Sequence, residues 1–196
     1  MLIRKRASDT AIVVLHEIYG INRHIHDICN RYGQDGYDVY CPNLIGREPF
    51  DYAEQEQAYR HFYDCGGFAH KERIKRVLKR IRPYYTRIIL LGFSVGATLA
   101  WLCSELNLCD KVICCYGSRI RDYLTVTPII PVLLLFAQED SFNVQAVADT
   151  LRGEHITTRL YEAGHGFLDP YCESYHQASA ELAWQTINRF IEDSSQ

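Results

Sequence analysis

The sequence predicts an α/β fold, a mostly parallel sheet with helices on both faces, and three observations carry that expectation. Apolar runs of strand length alternate with segments of helical period. The first long run, Ala11-Ile12-Val13-Val14-Leu15, is apolar throughout, as a strand buried on both faces should be. Midway along the chain, Gly92-Phe93-Ser94-Val95-Gly96 joins a β-rich run to a helix-forming one, the setting in which a sharp strand–turn–helix connection exposes a serine.

The elements follow in order. After the strand at 11–15, residues 23–35 read as a helix stopped in the Gly33 to Gly36 region. Tyr37-Asp38-Val39-Tyr40-Cys41 is the next strand, ended by Pro42. Residues 43–66 show no clear period and are expected to form a loop with a short helix over the site. Residues 69–82 carry Ile74, Val77, Leu78 and Ile81 at helical spacing, lysines and arginines opposite them, and Pro83 as a stop. The β-rich run 86–91 enters the Ser94 turn and 97–102 continues as helix. Strands follow at 111–116, 132–136 and 155–161, then a closing helix over 172–192 that turns Ala183, Ile187, Phe190 and Ile191 inward. With no repeat, linker or low-complexity stretch, residues 1–196 read as one domain with minimal or no lid.

Composition narrows the function classes. A chain of 196 residues with 47% hydrophobic and 23% charged residues is ordinary for a globular protein. A net charge of −3 offers no basic footprint for nucleic acid or an anionic membrane surface, and no apolar run approaches a membrane span. The basic start Met1-Leu2-Ile3-Arg4-Lys5-Arg6 is not followed by an apolar segment with a small-residue cleavage site, so no export signal is expected. The eight cysteines match no zinc or redox spacing and read as small buried hydrophobes in a reducing cytoplasm. Cys114 and Cys115, adjacent on a strand, should face opposite ways. His24 and His26 lie two apart on a helix and do not share a face, and His16 has no partners at ligand spacing. No metal or other cofactor is expected, and the partners reduce to a small-molecule acyl substrate and, in a homodimer, a second copy.

Three residues suggest acyl chemistry. Ser94 occupies the turn, Asp140 follows the strand at 131–137, and His165 follows the last strand between Gly164 and Gly166. The order Ser, Asp, His, each after a strand, resembles the catalytic triad of the α/β-hydrolase fold. Ser94 would attack an acyl carbonyl, His165 would take its proton and return it to the leaving group, and Asp140 would hold the imidazole tautomer. Glu139 is a rival acid, and Asp140 could instead cap a helix beginning near Phe142. The residue after the nucleophile, Val95, supplies one backbone N–H for an oxyanion hole.

Nearly end to end, the chain resembles the dienelactone hydrolase family. The motifs are His16-Glu17-Ile18-Tyr19-Gly20, Glu56-Gln57-Ala58-Tyr59, Cys115-Tyr116-Gly117 and Gly164-His165-Gly166-Phe167, together with the serine turn. The resemblance assigns the second oxyanion donor to Ile18 and gives Glu17 and Tyr59 substrate-binding or accessory places. Two departures stand out. The family's usual nucleophile is cysteine, with the glutamate matching Glu17 helping to generate its thiolate. A serine has a far higher pKa and needs His165 as base. Members acting on dienelactone hold its carboxylate with two arginines, whose positions fall here on Gln55 and Asp169. The implied activity is therefore hydrolysis of a small ester, lactone or thioester with neutral or weakly polar groups, unless Arg60, His61 or Arg119 supplies the missing charge. The competing expectation is a binding or interaction protein on the same fold, its triad idle.

Overall fold

A computed structural model describes residues 1–193. One seven-stranded sheet organises them: β1 (Leu2–Arg4), β2 (Thr10–Leu15), β3 (Asp38–Cys41), β4 (Arg87–Phe93), β5 (Lys111–Cys115), β6 (Val132–Glu139) and β7 (Ile156–Gly164), in the order β1-β3-β2-β4-β5-β6-β7. Only β1 is antiparallel, pairing Leu2 with Cys41 at the edge. The chain runs outward from β2 to β3, then restarts on the other side of β2 with β4. That reversal opens a crevice at the carboxyl ends of β2 and β4, where Leu15 and Gly92 are register partners.

Alternation along each central strand feeds two cores. Ala11, Val13 and Leu15 of β2 join Ile88 and Leu90 of β4 on one face. Ile12 and Val14 join Ile89, Leu91 and Phe93 on the other. Cys114 and Cys115 divide in the same way, as their adjacency on a strand requires. All eight cysteines are free thiols, with Cys65 and Cys172 half-buried and the others buried.

The helices cover these faces with their apolar stripes. The second face takes α1 (Arg23–Gln34), through Ile25, Ile28 and Tyr32, and α6 (Gln177–Glu192), through Ala183, Ile187 and Ile191. The first takes α2 (Gln55–Asp64), α3 (Lys71–Ile81), α4 (Val95–Cys103) and α5 (Val144–Thr150). Caps set two starts: Asn22 accepts the Ile25 N–H at 3.1 Å for α1, and Asn143 accepts the Ala146 N–H at 3.0 Å for α5. The helix α4 has no polar stripe and is buried along its whole length, Trp101 included. At about 1.5–3 kcal/mol per large apolar side chain, that burial anchors the turn from which it starts.

Candidate active site

Ser94 stands at φ 52°, ψ −115°, in the left-handed region that a side-chain-bearing residue rarely adopts. Both neighbouring glycines are required by close approach. A Cβ on Gly92 would fall 2.2 Å from the Gly96 carbonyl oxygen, and one on Gly96 would fall 2.3 Å from that of Leu15. Thus α4 packs directly onto the end of β2. The Ser94 N–H donates to the Cys115 carbonyl at 2.9 Å, tying the turn to β5.

The three residues expected to act together do meet. Ser94 Oγ lies 2.8 Å from His165 Nε2, and His165 Nδ1 lies 2.7 Å from Asp140 Oδ2. With Nδ1–H donating to the carboxylate, Nε2 is left to accept from the serine hydroxyl. The Asp140 side chain is 5% exposed against 36% for His165. Burial pushes the Asp140 carboxyl up, but the hydrogen bond and charge of His165 and two bonds from Ser141 bring it below its ordinary value. Glu139 ends β6 beside Gly164, without a hydrogen bond to His165 among the described residues. The cap of α5 is Asn143, so Asp140 is free of that duty. His165 also meets the Tyr116 ring edge-on at 5.2 Å. Tyr116 has φ 42°, a second strained residue beside the serine turn.

Ile18 and Val95 both line the cleft, and among the described residues neither amide donates to a backbone carbonyl. His16 fixes the loop that carries Ile18. Its buried Nε2 accepts the Leu44 N–H at 2.8 Å, so Nδ1 bears the proton and donates to the Glu17 carbonyl at 2.6 Å. Burial lowers the His16 pKa to about 4, which keeps this tautomer neutral.

Glu17 is 6% exposed and lines the cleft. Burial first, then the charge of Asp169, raises its pKa to about 7, against smaller opposing effects from His165 and Tyr116. The Tyr116 hydroxyl lies near enough to act electrostatically but completes no hydrogen bond. Asp169 is itself 1% exposed. It accepts from the Tyr52 hydroxyl and from the Tyr171 N–H at 2.9 Å, with His24 Nδ1 at 3.7 Å. Burial lowers the His24 pKa, Asp169 opposing it, so that carboxylate has no full cation beside it. Asn22, the cap of α1, donates to the Tyr52 oxygen at 3.0 Å and completes the network. This array was not legible in the sequence, since Asn22, Tyr52 and Asp169 are 30 and 117 residues apart.

The cleft measures about 880 Å³. Tyr59 borders it from α2, 37% exposed, with its hydroxyl accepting from Arg119. Of the cations considered from the sequence, Arg119 lines the cleft, Arg60 faces a neighbouring groove on α2, and the His61 ring bonds to the Ile45 carbonyl at 2.8 Å. Arg121 also lines the cleft, which the sequence reading missed. Among the described residues no group of three or more His, Cys, Asp or Glu side chains could hold a metal ion, and no helix is long and apolar enough to cross a membrane.

Comparison with known proteins agrees with this architecture. An uncharacterized protein of Bacillus subtilis, YczH, is 37% identical over 177 residues, covering 85% of each chain. The carboxymethylenebutenolidase of Pseudomonas putida is 26% identical over 197 residues, covering 91% of this chain and 83% of its own. Among solved structures, a dienelactone hydrolase-like promiscuous phosphotriesterase from metagenomic libraries, P91, superposes with a TM-score of 0.74 at 20% identity, covering 93% of this chain and 86% of that one. The profile of the dienelactone hydrolase family matches residues 1–195. With a Ser94–His165–Asp140 arrangement on a mostly parallel, nearly lidless sheet, this chain is a hydrolase and belongs to the dienelactone hydrolase family.

Proposed function

We propose that the protein cleaves a small ester, lactone or thioester through an acyl-enzyme on Ser94. The observation that carries this reading is the continuous line from Ser94 Oγ through His165 to Asp140, at 2.8 and 2.7 Å, opening into the cleft. In the first half-reaction Ser94 Oγ bonds to the acyl carbon while its proton passes to His165 Nε2. The tetrahedral oxyanion is held by the amides of Ile18 and Val95, each such donor contributing about 3 kcal/mol in a comparable enzyme. His165 then returns the proton to the departing alkoxide or thiolate as the acyl–heteroatom bond breaks. In the second half a water molecule gives its proton to Nε2 and attacks the acyl carbon, and the carboxylate product leaves with Ser94 protonated again. Asp140, anionic and buried, stabilises the imidazolium in both halves. Glu17 and Tyr59 act on the substrate from the cleft wall. The free thiols suit a reducing cytoplasm.

The test is a fluorophosphonate probe with a set of short-chain 4-nitrophenyl esters, thioesters and lactones. The wild type should be labelled and should turn over at least one class, and Ser94→Ala should lose both. A wild type that neither reacts with the probe nor hydrolyses any of the set would establish the idle triad instead.

A further inference from the structure

We propose that Glu17, Tyr19, Tyr52 and Asp169, which line the cleft together, form a subsite for a substrate ammonium group with N–H donors, held a few bonds from the carbonyl that Ser94 attacks. This rests on the hydrolytic reading above, and it replaces the expectation of a neutral or weakly polar substrate with a cationic one.

The charges of the cleft are the first support. Five carboxylates line it, those of Glu17, Glu139, Asp140, Asp169 and Glu173, against the guanidinium groups of Arg119 and Arg121. Asp140 is engaged by His165. Both arginines are engaged away from the two buried acids, Glu17 and Asp169. Asp122 lies 3.4 Å from Arg119 and 4.0 Å from Arg121, Arg121 donates to the Ser118 carbonyl at 2.8 Å, and Arg119 donates to the Tyr59 hydroxyl. No arginine or lysine pairs with Glu17 or Asp169 among the described residues. The cleft is therefore net negative, and a cation entering it meets two unneutralised buried acids.

The second is an acceptor without a donor. Asp169 accepts from the Tyr52 hydroxyl and the Tyr171 N–H. Glu17, only 6% exposed, makes neither a hydrogen bond nor an ion pair with its carboxyl among the described residues, and the nearby Tyr116 hydroxyl completes none. A carboxylate can only accept, and burying one without a donor or an opposite charge is costly. Four of the groups that its charge acts on or that act on it, His165, Asp169, Tyr19 and Tyr52, line the cleft with it. The missing donor can thus arrive from the cleft, and a protonated amine supplies the N–H and the charge at once. Glu17 directly precedes Ile18, the second oxyanion donor of the proposed reaction, which sets the ammonium close to the reacting carbonyl.

The aromatic rings are the third. Four tyrosines line the cleft, and two of them already carry a cation of this chain: Arg23 lies 4.4 Å from the centre of the Tyr171 ring, and Arg119 lies 6.0 Å from that of Tyr59. Tyr19 and Tyr52 carry none among the described residues. Their rings meet edge-on at 4.9 Å, and Asn22 and Asp169 hold the Tyr52 hydroxyl in place. They offer a preset π surface beside the two acids, to which an ammonium is attracted.

Occupancy should also follow pH. Glu17 titrates near 7, so its ionised form, the one that binds an ammonium, fills as pH rises through that value. The groups that face it are Asp169, His165, Tyr19, Tyr52, Tyr116 and Cys115. Burial keeps the three tyrosines and Cys115 neutral there. Protonated His165 would repel an ammonium in the same sense, and Glu17→Gln, which keeps His165, tells the two apart.

The probes are benzylammonium, benzyltrimethylammonium, neutral benzyl alcohol and benzoate. Their binding is measured by calorimetry and by inhibition of 4-nitrophenyl acetate hydrolysis. At about pH 8 the wild type should bind benzylammonium roughly tenfold more tightly than benzyl alcohol, about 1.4 kcal/mol, and benzoate most weakly. Benzyltrimethylammonium, with no N–H to give Glu17, should lose most of that preference. At about pH 6, where a primary amine is still charged, the preference should shrink several-fold. Glu17→Gln should show little preference at either pH, and Tyr19→Leu should keep part of it. The subsite is overturned by a wild type indifferent to charge or favouring benzoate, by equal binding of the quaternary and primary ions, or by a preference undiminished in Glu17→Gln. If Glu17→Gln does not fold, Tyr19→Leu decides by the same ratio. Loss of the hydrolytic reading would look different: no labelling and no ester turnover, with calorimetry still reporting the ammonium preference.

Discussion

Asp140, and not the adjacent Glu139, reaches His165, its Oδ2 lying 2.7 Å from the ring Nδ1. The two acids differ because β6 ends between them. Glu139 is still in register with Gly164 of β7, and the chain then turns Asp140 inward. Asp140→Asn should therefore lower kcat by several powers of ten, on the order of the 10⁴ of the serine protease precedent. Glu139→Gln should cost a few-fold at most. Steady-state kinetics on one ester decide it, and the reverse ranking would exchange the two roles.

Gly96→Ala should destabilise the fold by about 3 kcal/mol. The new methyl would meet the backbone oxygens of Leu15 and His16 at 2.3 and 2.6 Å, and backbone cannot swing aside as a flexible side chain can. Gly36→Ala provides the contrast. It meets nothing within 4 Å, and only its φ of +93° opposes the change, so the expected loss is about 1 kcal/mol. Urea midpoints for the two variants should separate accordingly, and equal midpoints would mean that α4 can move off β2.

Much of this arrangement was legible because it is written locally. Gly92, Ser94 and Gly96 lie within one turn, and buried strands announce themselves as continuous apolar runs. What escaped has physical reasons. Strand β1 is three residues long and antiparallel, too short to show a period. The short helix expected within 43–66 is present as α2, but its bounds were not legible, because it buries only Ala58 and Phe62 among polar neighbours. The closing helix starts at Gln177 rather than 172 because the preceding residues form turns, with the Tyr175 N–H on the Cys172 carbonyl and the His176 N–H on that of Phe167. The Asn22–Tyr52–Asp169 network is assembled by the fold alone, and no spacing could reveal it.

That network predicts different outcomes for two substitutions that the family comparison would treat alike. Gln55 is exposed at the start of α2, so Gln55→Arg should fold normally. Asp169→Arg would place a guanidinium in a site 1% exposed, remove the acceptor of Tyr52 and of the Tyr171 N–H, and face His24. A loss of roughly 3–5 kcal/mol is expected, as for breaking a buried polar pair. Thermal unfolding of both variants checks this. An Asp169→Arg protein as stable as the wild type would show that the network contributes little.

Glu17 ties stability and pH together. Its carboxyl titrates near 7 in the folded protein against an ordinary 4.5, because burial and then the charge of Asp169 disfavour ionisation. Between those values the unfolded chain ionises Glu17 while the native state keeps it protonated. The stabilisation present below pH about 4.5 is therefore lost progressively as pH rises to about 7, and changes no further above that. The loss integrates to about 3 kcal/mol as an upper figure. Glu17→Gln, neutral at every pH, should remove that dependence and be relatively more stable at pH 8 than at pH 5. Urea titrations of wild type and variant at those two values measure the difference. In turnover, Glu17→Gln should retain substantial activity, because a serine nucleophile takes its base from His165, and only the shape of the kcat/KM profile near pH 7 should change. A loss as deep as that of His165→Ala would instead put the Glu17 carboxyl into the reaction itself.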